Sequence, residues 1–192
     1  MRSIKKLIID ASRLRSGGGI QHFIQILNSD KLSFFDEIII FSHTELEKTV
    51  SNISNKFQFK TNYLINFNTF TCLIWQFFFL KRELKSKNSV LLTLDSTTLY
   101  SYKKNIIINQ DIIGFQKNSL TYFKGIDYVY NFFKHLVAKK AVKNSFAAIF
   151  TTNFAKSLFK RNNFREDTVI PHGVMSNIIP KKNYSSNKKC FD

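Results

Sequence analysis

Short, unbroken apolar runs recur along the chain, separated by stretches with a helical repeat. Leu7-Ile8-Ile9, Ile38-Ile39-Ile40 and Ile106-Ile107-Ile108 show no polar alternation, as expected for strands covered on both faces. The pattern predicts strands over 5–10, 36–42, 57–65, 89–95, 104–110, 146–152 and 167–171. Helices are predicted over 19–29, 69–87, 127–144 and 153–162. In the first helix Ile20, Phe23, Ile24 and Leu27 fall on one face. In the last, Thr151-Thr152-Asn153 makes a cap-like start ahead of Phe154, Leu158 and Phe159. Alternation of this kind predicts a single α/β domain with a mostly parallel sheet wound on both sides.

Such sheets bind ligands beyond the carboxyl ends of their strands. The rule selects 11–19, 95–100, 110–115, 151–153 and 171–175. Gly17, Gly18 and Gly19 lie between the first strand and its helix. Without Cβ atoms they let a ligand approach the backbone, and the helix amino end offers unpaired N–H groups to a phosphate. The competing reading is a flexible strand-to-helix turn. His22 points away from the apolar face and is read as a surface or loop-bracing residue. Asp10 ends the first strand and is expected to fix the glycine loop by hydrogen bonds. Asp111 is the candidate general base or acceptor-orienting carboxylate, with an Asx turn or helix cap as its structural alternative. His43 and His135 stand isolated and receive no role. There is no zinc-ligand spacing, P-loop, Ser-His-Asp order or EF-hand, so neither a metal nor a cofactor is expected. Three consecutive glycines are not the G-x-G-x-x-G pattern, which argues against a dehydrogenase.

Composition narrows the partners. The 192 residues are 44% hydrophobic and 22% charged, a globular balance. A net charge of +16 favours an anionic partner, though an AT-rich coding bias toward Lys and Asn would also raise it. The basic residues are spread over every segment and match no nucleic-acid module, so no nucleic-acid partner is expected. Cys72 and Cys190 form no metal or disulfide framework, which suits a reducing cytosol. Residues 1–6 are basic like the start of a signal peptide, but Asp10 and Arg13 cut the apolar run short. The longest apolar stretch, 70–80, contains Gln76 and is too short to span a bilayer. A cytoplasmic protein is expected, either soluble or held at the inner face of the plasma membrane. Two aromatic-to-basic segments bear on that choice. Trp75, Phe77, Phe78 and Phe79 lead into Lys81, Arg82, Lys85 and Lys87; Tyr128, Tyr130, Phe132 and Phe133 lead into Lys134, Lys139, Lys140 and Lys143. Each is read either as a contact for anionic lipid or as a core-facing stripe with a solvated basic edge. From residue 178 the chain turns polar and basic like an interdomain linker. The domain is therefore placed at 1–177 and a linker or truncated end at 178–192.

Four stretches in register carry a resemblance. They are Ile9-Asp10-Ala11-Ser12 with Gly17-Gly18-Gly19 and His22; Asn109-Gln110-Asp111-Ile112-Ile113-Gly114-Phe115; Ile149-Phe150-Thr151-Thr152-Asn153-Phe154-Ala155-Lys156 with Leu158; and Val169-Ile170-Pro171-His172-Gly173-Val174. Together they resemble the amino-terminal half of a bacterial family 4 glycosyltransferase of the two-domain GT-B type. The resemblance implies one Rossmann-like domain that holds the acceptor, a glycan or lipid-linked sugar of surface polysaccharide synthesis. A nucleotide sugar is the implied donor, held mostly by a carboxyl-terminal domain through a basic residue and two glutamates. That domain is expected in cis or in trans, and this chain is expected to be inactive alone. Gly17, Gly18, Gly19, His172 and Gly173 are implied near the donor phosphates, and Gln110, Asp111 and Gly114 in an acceptor-side loop. Gln110 stands where the family often has His, and Gly114 where Pro is common. The alternative is a non-catalytic subunit that binds acceptor or membrane and recruits a separate donor-binding half.

Overall fold

Leu7-Ile8-Ile9, Ile38-Ile39-Ile40 and Ile106-Ile107-Ile108 become strands, and the seven strands among the described residues lie parallel in one sheet. The structure is a computed structural model and describes residues 5–15, 17–53, 56–84, 88–100, 102, 104–110, 117–159 and 167–171. The strands are β1 (Lys6–Asp10), β2 (Glu37–Phe41), β3 (Phe57–Lys60), β4 (Ser89–Thr93), β5 (Asn105–Asn109), β6 (Ala147–Phe150) and β7 (Thr168–Val169). Their order is β3-β2-β1-β4-β5-β6-β7. Ile8 sits between Ile39 and Leu91, so β1 is flanked by strands from the two directions of winding. The order reverses at β1 and β4, which opens a crevice at the carboxyl ends of those two strands. This is a Rossmann-like α/β domain.

The helices are α1 (Gly18–Leu27), α2 (Thr44–Val50), α3 (Tyr63–Phe67), α4 (Thr69–Trp75), α5 (Lys81–Glu83), α6 (Gly125–Asn144) and α7 (Asn153–Ser157). Side chains alternate across a strand, so each β-strand feeds two cores. On one face Leu7, Ile9, Ile38 and Ile40 pack with Phe23 and Leu27 of α1 and with Leu46 and Val50 of α2. On the other, Ile8, Ile39 and Leu91 pack with Ile65 of α3 and with Cys72 and Trp75 of α4. Farther along that second face, Ile107, Ala148 and Phe150 pack with Ala138, Ala141 and Val142 of α6.

Several boundaries differ from the sequence expectation. The span 57–65 is not one strand: β3 stops at Lys60, and Asn62 caps α3 by accepting a hydrogen bond from the Leu64 N–H at 3.0 Å. Ile65 is then buried from a helix, not a strand. The helix expected over 69–87 is continuous to Glu83 but carries a π-helical turn at Gln76–Leu80, and 85–87 lie outside the described residues. The one expected over 127–144 begins at Gly125, whose φ of 58° suits glycine. The last expected helix closes at Ser157 among the described residues, with Thr152 as its cap, accepting from the Ala155 N–H at 3.0 Å. Helix α2 was not anticipated. The proposed linker at 178–192 and its boundary at 177 lie outside the described residues. Among the described residues, no helix is long and apolar enough to cross a membrane.

Candidate functional site

The crevice begins with the last residue of β1. Asp10 is 3% exposed and points into the protein beneath the loop that follows it. Its Oδ1 accepts from the Ser12 N–H at 3.1 Å and from the Ser12 hydroxyl at 2.6 Å. Its Oδ2 accepts from Gln76 Nε2 at 2.8 Å, a residue that opens the π-helical turn. Burial raises the Asp10 pKa, and the bonds from Ser12 and Gln76 oppose that rise. Asp10 therefore holds the loop, as its sequence position suggested.

Two arginines extend the same loop. Arg13 Nη1 donates to the Thr97 carbonyl at 2.6 Å and lies 3.4 Å from Asp95 Oδ2. This ties the end of β1 to the end of β4, the two strands at which the order reverses. Arg15 donates to the Ile65 carbonyl and, at 3.3 Å, to Cys72 Sγ. Burial pushes the Cys72 thiol pKa up, so this sulfur stays protonated and inert.

The glycines play unequal parts. Gly17 has φ 75° and ψ −154°, a conformation open only to glycine, and it precedes α1 with no side-chain cap. A Cβ on Gly18 would meet nothing within 4 Å, whereas one on Gly19 would lie 3.4 Å from Gln110 Oε1. Gln110 follows β5 and its Nε2 donates to His22 Nδ1 at 2.9 Å. His22 thus braces the loop, and Gly19 leaves room for Gln110 to reach it. Gly17→Ala is expected to cost about 1–3 kcal/mol, the strain of that backbone region. Gly18→Ala is expected to be neutral, and urea denaturation of the two variants checks the contrast.

Arg13, Arg15, Gly19, Asp95, Gln110 and Lys134 surround a cavity of about 210 Å³, together with Leu14 and Leu94. Three cationic side chains face one carboxylate, so the cavity favours an anion. Arg13 Nε is buried without a hydrogen-bond partner among the described residues, as are Thr97 Oγ1 and both side-chain polar atoms of Asn109 at the same sheet edge. An uncapped helix start beside these groups adds the positive end of its dipole. Arg15 also borders a neighbouring cavity of about 500 Å³, lined by His43, Thr44, Glu45, Asn66 and Phe67. His43 caps α2: its Nδ1 accepts from the Leu46 N–H at 3.3 Å and its Nε2 donates to the Leu14 carbonyl at 2.7 Å. Those bonds need the neutral ring with its proton on Nε2, and burial lowers its pKa in the same direction.

Comparison of the chain with protein-family models, with curated proteins and with solved structures finds no match. Of the residues expected near a ligand, Gly19 and Gln110 meet in one cavity, while Gly17 and Gly18 precede Gly19 in the chain and do not line that cavity. Asp111, Gly114, His172 and Gly173 lie outside the described residues. Pro171 follows β7 on the same edge of the sheet, but β4, β5 and β6 separate it from β1. Among the described residues no three His, Cys, Asp or Glu side chains cluster as a metal site would require. Arg13, Arg15 and Asp95 lie in the strand-end segments 11–19 and 95–100 but were not singled out there, and Lys134 was read only as part of a basic tract. Arg13 and Asp95 fall in neighbouring strand-end loops, and their opposite charges were the available signal.

Proposed function

We propose that this chain is the acceptor-side domain of a glycosyltransferase. It would act in the cytoplasm or at the inner face of the membrane, passing a sugar from a nucleotide-sugar donor to a glycan or lipid-linked acceptor. One observation carries the reading: the cationic cavity formed by Arg13, Arg15, Gly19, Gln110 and Lys134 at the β1–β4 crevice. Transfer of this kind develops charge on a leaving nucleotide diphosphate, and fixed donors that stabilise it lower the barrier. The Arg13 and Arg15 guanidinium groups and the start of α1 are such donors. The cavity is smaller than the roughly 300–1,000 Å³ of a typical small-ligand pocket. That suits the diphosphate end of a donor whose nucleotide is held by a second domain. The adjoining cavity, where Thr44, Glu45 and Asn66 are exposed, offers hydrogen-bonding groups for a sugar acceptor.

The reading is tested by nucleotide release from a panel of nucleotide sugars offered with a glycolipid extract. The chain is assayed alone and with a donor-binding domain of the family 4 type supplied in trans. Acceptor-dependent release only with both parts present is the expected result. Rapid turnover by the chain alone would overturn the division of labour, and absence of acceptor-dependent release with both parts present would overturn the reading itself.

A further inference from the structure

Helix α6 runs over twenty residues, yet its buried positions, Ala138, Ala141 and Val142, all fall in its carboxyl-terminal half. In the amino-terminal half Ile126, Tyr128, Val129, Tyr130, Phe132 and Phe133 are exposed, Ile126 by 84% and Phe133 by 60%. A helix that is apolar around its circumference is normally covered. The exposed residues are also ordered along the helix. Ile126, Val129, Phe133 and Leu136 follow one another at spacings of three and four residues, and the same stripe continues as Lys140 and Lys143. It is apolar first and basic afterwards.

A second exposed group lies in the same layer. Phe77 and Phe78 are more than half exposed and precede Lys81 and Arg82. Trp75, by contrast, is buried against Phe41, so it belongs to the core and not to this surface. The segment 69–84 and α6 cover the same face of the sheet: Leu91, packed under Trp75, pairs with Asn105, two residues before Ile107, which packs under α6.

We propose that the outer surface of this helix layer, centred on the amino-terminal half of α6, docks on an anionic membrane. Charge selects the occupant. Helix α6 carries Lys134, Lys139, Lys140 and Lys143 against the single carboxylate Asp127, and the chain as a whole is +16. A second copy would bring like charges together, whereas anionic headgroups neutralise them. Tyr and Phe side chains flanked by Lys match the composition of helices that lie in the bilayer interface. Because α6 links β5 to a parallel β6, it runs back against the strands, and its amino-terminal half lies toward the edge that holds the cavity. Lys134, in that half, lines the cavity. Docking would set the cavity beside the headgroup region. The inference rests on the surface of α6 and not on the glycosyl-transfer reading.

The test is co-sedimentation of the full chain with phosphatidylglycerol–phosphatidylcholine vesicles and with pure phosphatidylcholine vesicles, at low and at high salt. Binding is expected to the anionic vesicles, weakened strongly by salt as the Debye length shrinks. Val129→Ser combined with Phe133→Ser, and separately Lys140→Glu combined with Lys143→Glu, should each reduce partitioning at least about tenfold. All four side chains are exposed, so the variants are expected to stay folded, which circular dichroism checks. Equal binding to neutral vesicles would overturn the proposal. So would parental binding by both variants, or a concentration-dependent dimer in sedimentation velocity that the Val129/Phe133 variant abolishes.

Discussion

Asp10→Ala is expected to destabilise the domain by about 3 kcal/mol, because three buried donors lose their acceptor at once. The Ser12 N–H, the Ser12 hydroxyl and the Gln76 amide all converge on this carboxylate. Ser12 and Gln76 are themselves buried, so water cannot replace what is lost. Asp10→Asn should behave differently. The amide oxygen still serves Ser12, and the new NH2 group faces Gln76. A flip of the Gln76 amide would give its Oε1, now unpartnered, a donor. Asn is therefore expected within about 1 kcal/mol of the parent at neutral pH.

The same pair reports the pKa. Burial raises Asp10 above its ordinary value of 3.8, so between that value and the folded one the native state binds more protons than the unfolded state. Its contribution to stability is full below 3.8 and is lost as pH rises through the folded value. Urea denaturation from acid to neutral pH should show the parent losing stability relative to Asp10→Asn as pH increases. A constant difference between the two across that range would show that Asp10 titrates normally.

Strand content was legible because the strands are covered on both faces and so carry continuous apolar runs. Ile38-Ile39-Ile40 and Ile106-Ile107-Ile108 admit no helical amphipathic reading. Helix α2 was not legible for the opposite reason. It has only Leu46 and Val50 as buried residues, and its cap is His43, not one of the usual Ser, Thr, Asp or Asn. Helix α3 was misread because Tyr63-Leu64-Ile65 looks like strand text. The Asn62 cap and the burial of Ile65 against β1 and β2 decide it, and burial is a tertiary fact.

The site divides along the same line. Gly19 and Gln110 were found because the strand-end rule needs only a list of strands. Lys134 lies well inside α6 and read as one more residue of a basic tract. It reaches the cavity only because the crossover from β5 to β6 lays that helix beside the β1–β4 crevice. Arg13 and Asp95 are separated by 82 positions, and pairing them requires the knowledge that β4, not β3, is the neighbour of β1.

That pairing supplies the sharpest test of the cavity. Arg13→Ala should weaken binding of a nucleoside diphosphate at least about tenfold, as expected when a charge-assisted bond of roughly 1.5–3 kcal/mol is lost. The loss has two sources. The cavity forfeits a cation, and the loops after β1 and β4 lose the strut to Thr97 that holds them together. Arg13→Lys separates them, since lysine keeps the charge but not the planar fork that spans Thr97 and Asp95. It should retain part of the affinity. Asp95→Asn should act with the opposite sign: it removes the one carboxylate of the cavity and frees Arg13 from its ion pair. An anionic ligand is then expected to bind about threefold or more tightly, less so at high salt because Asp95 is partly exposed. Calorimetric titration with uridine and guanosine diphosphates reads all three variants. Weaker binding by Asp95→Asn together with unchanged binding by Arg13→Ala would mean that the cavity takes a cation or a neutral group, and the phosphate assignment would fall.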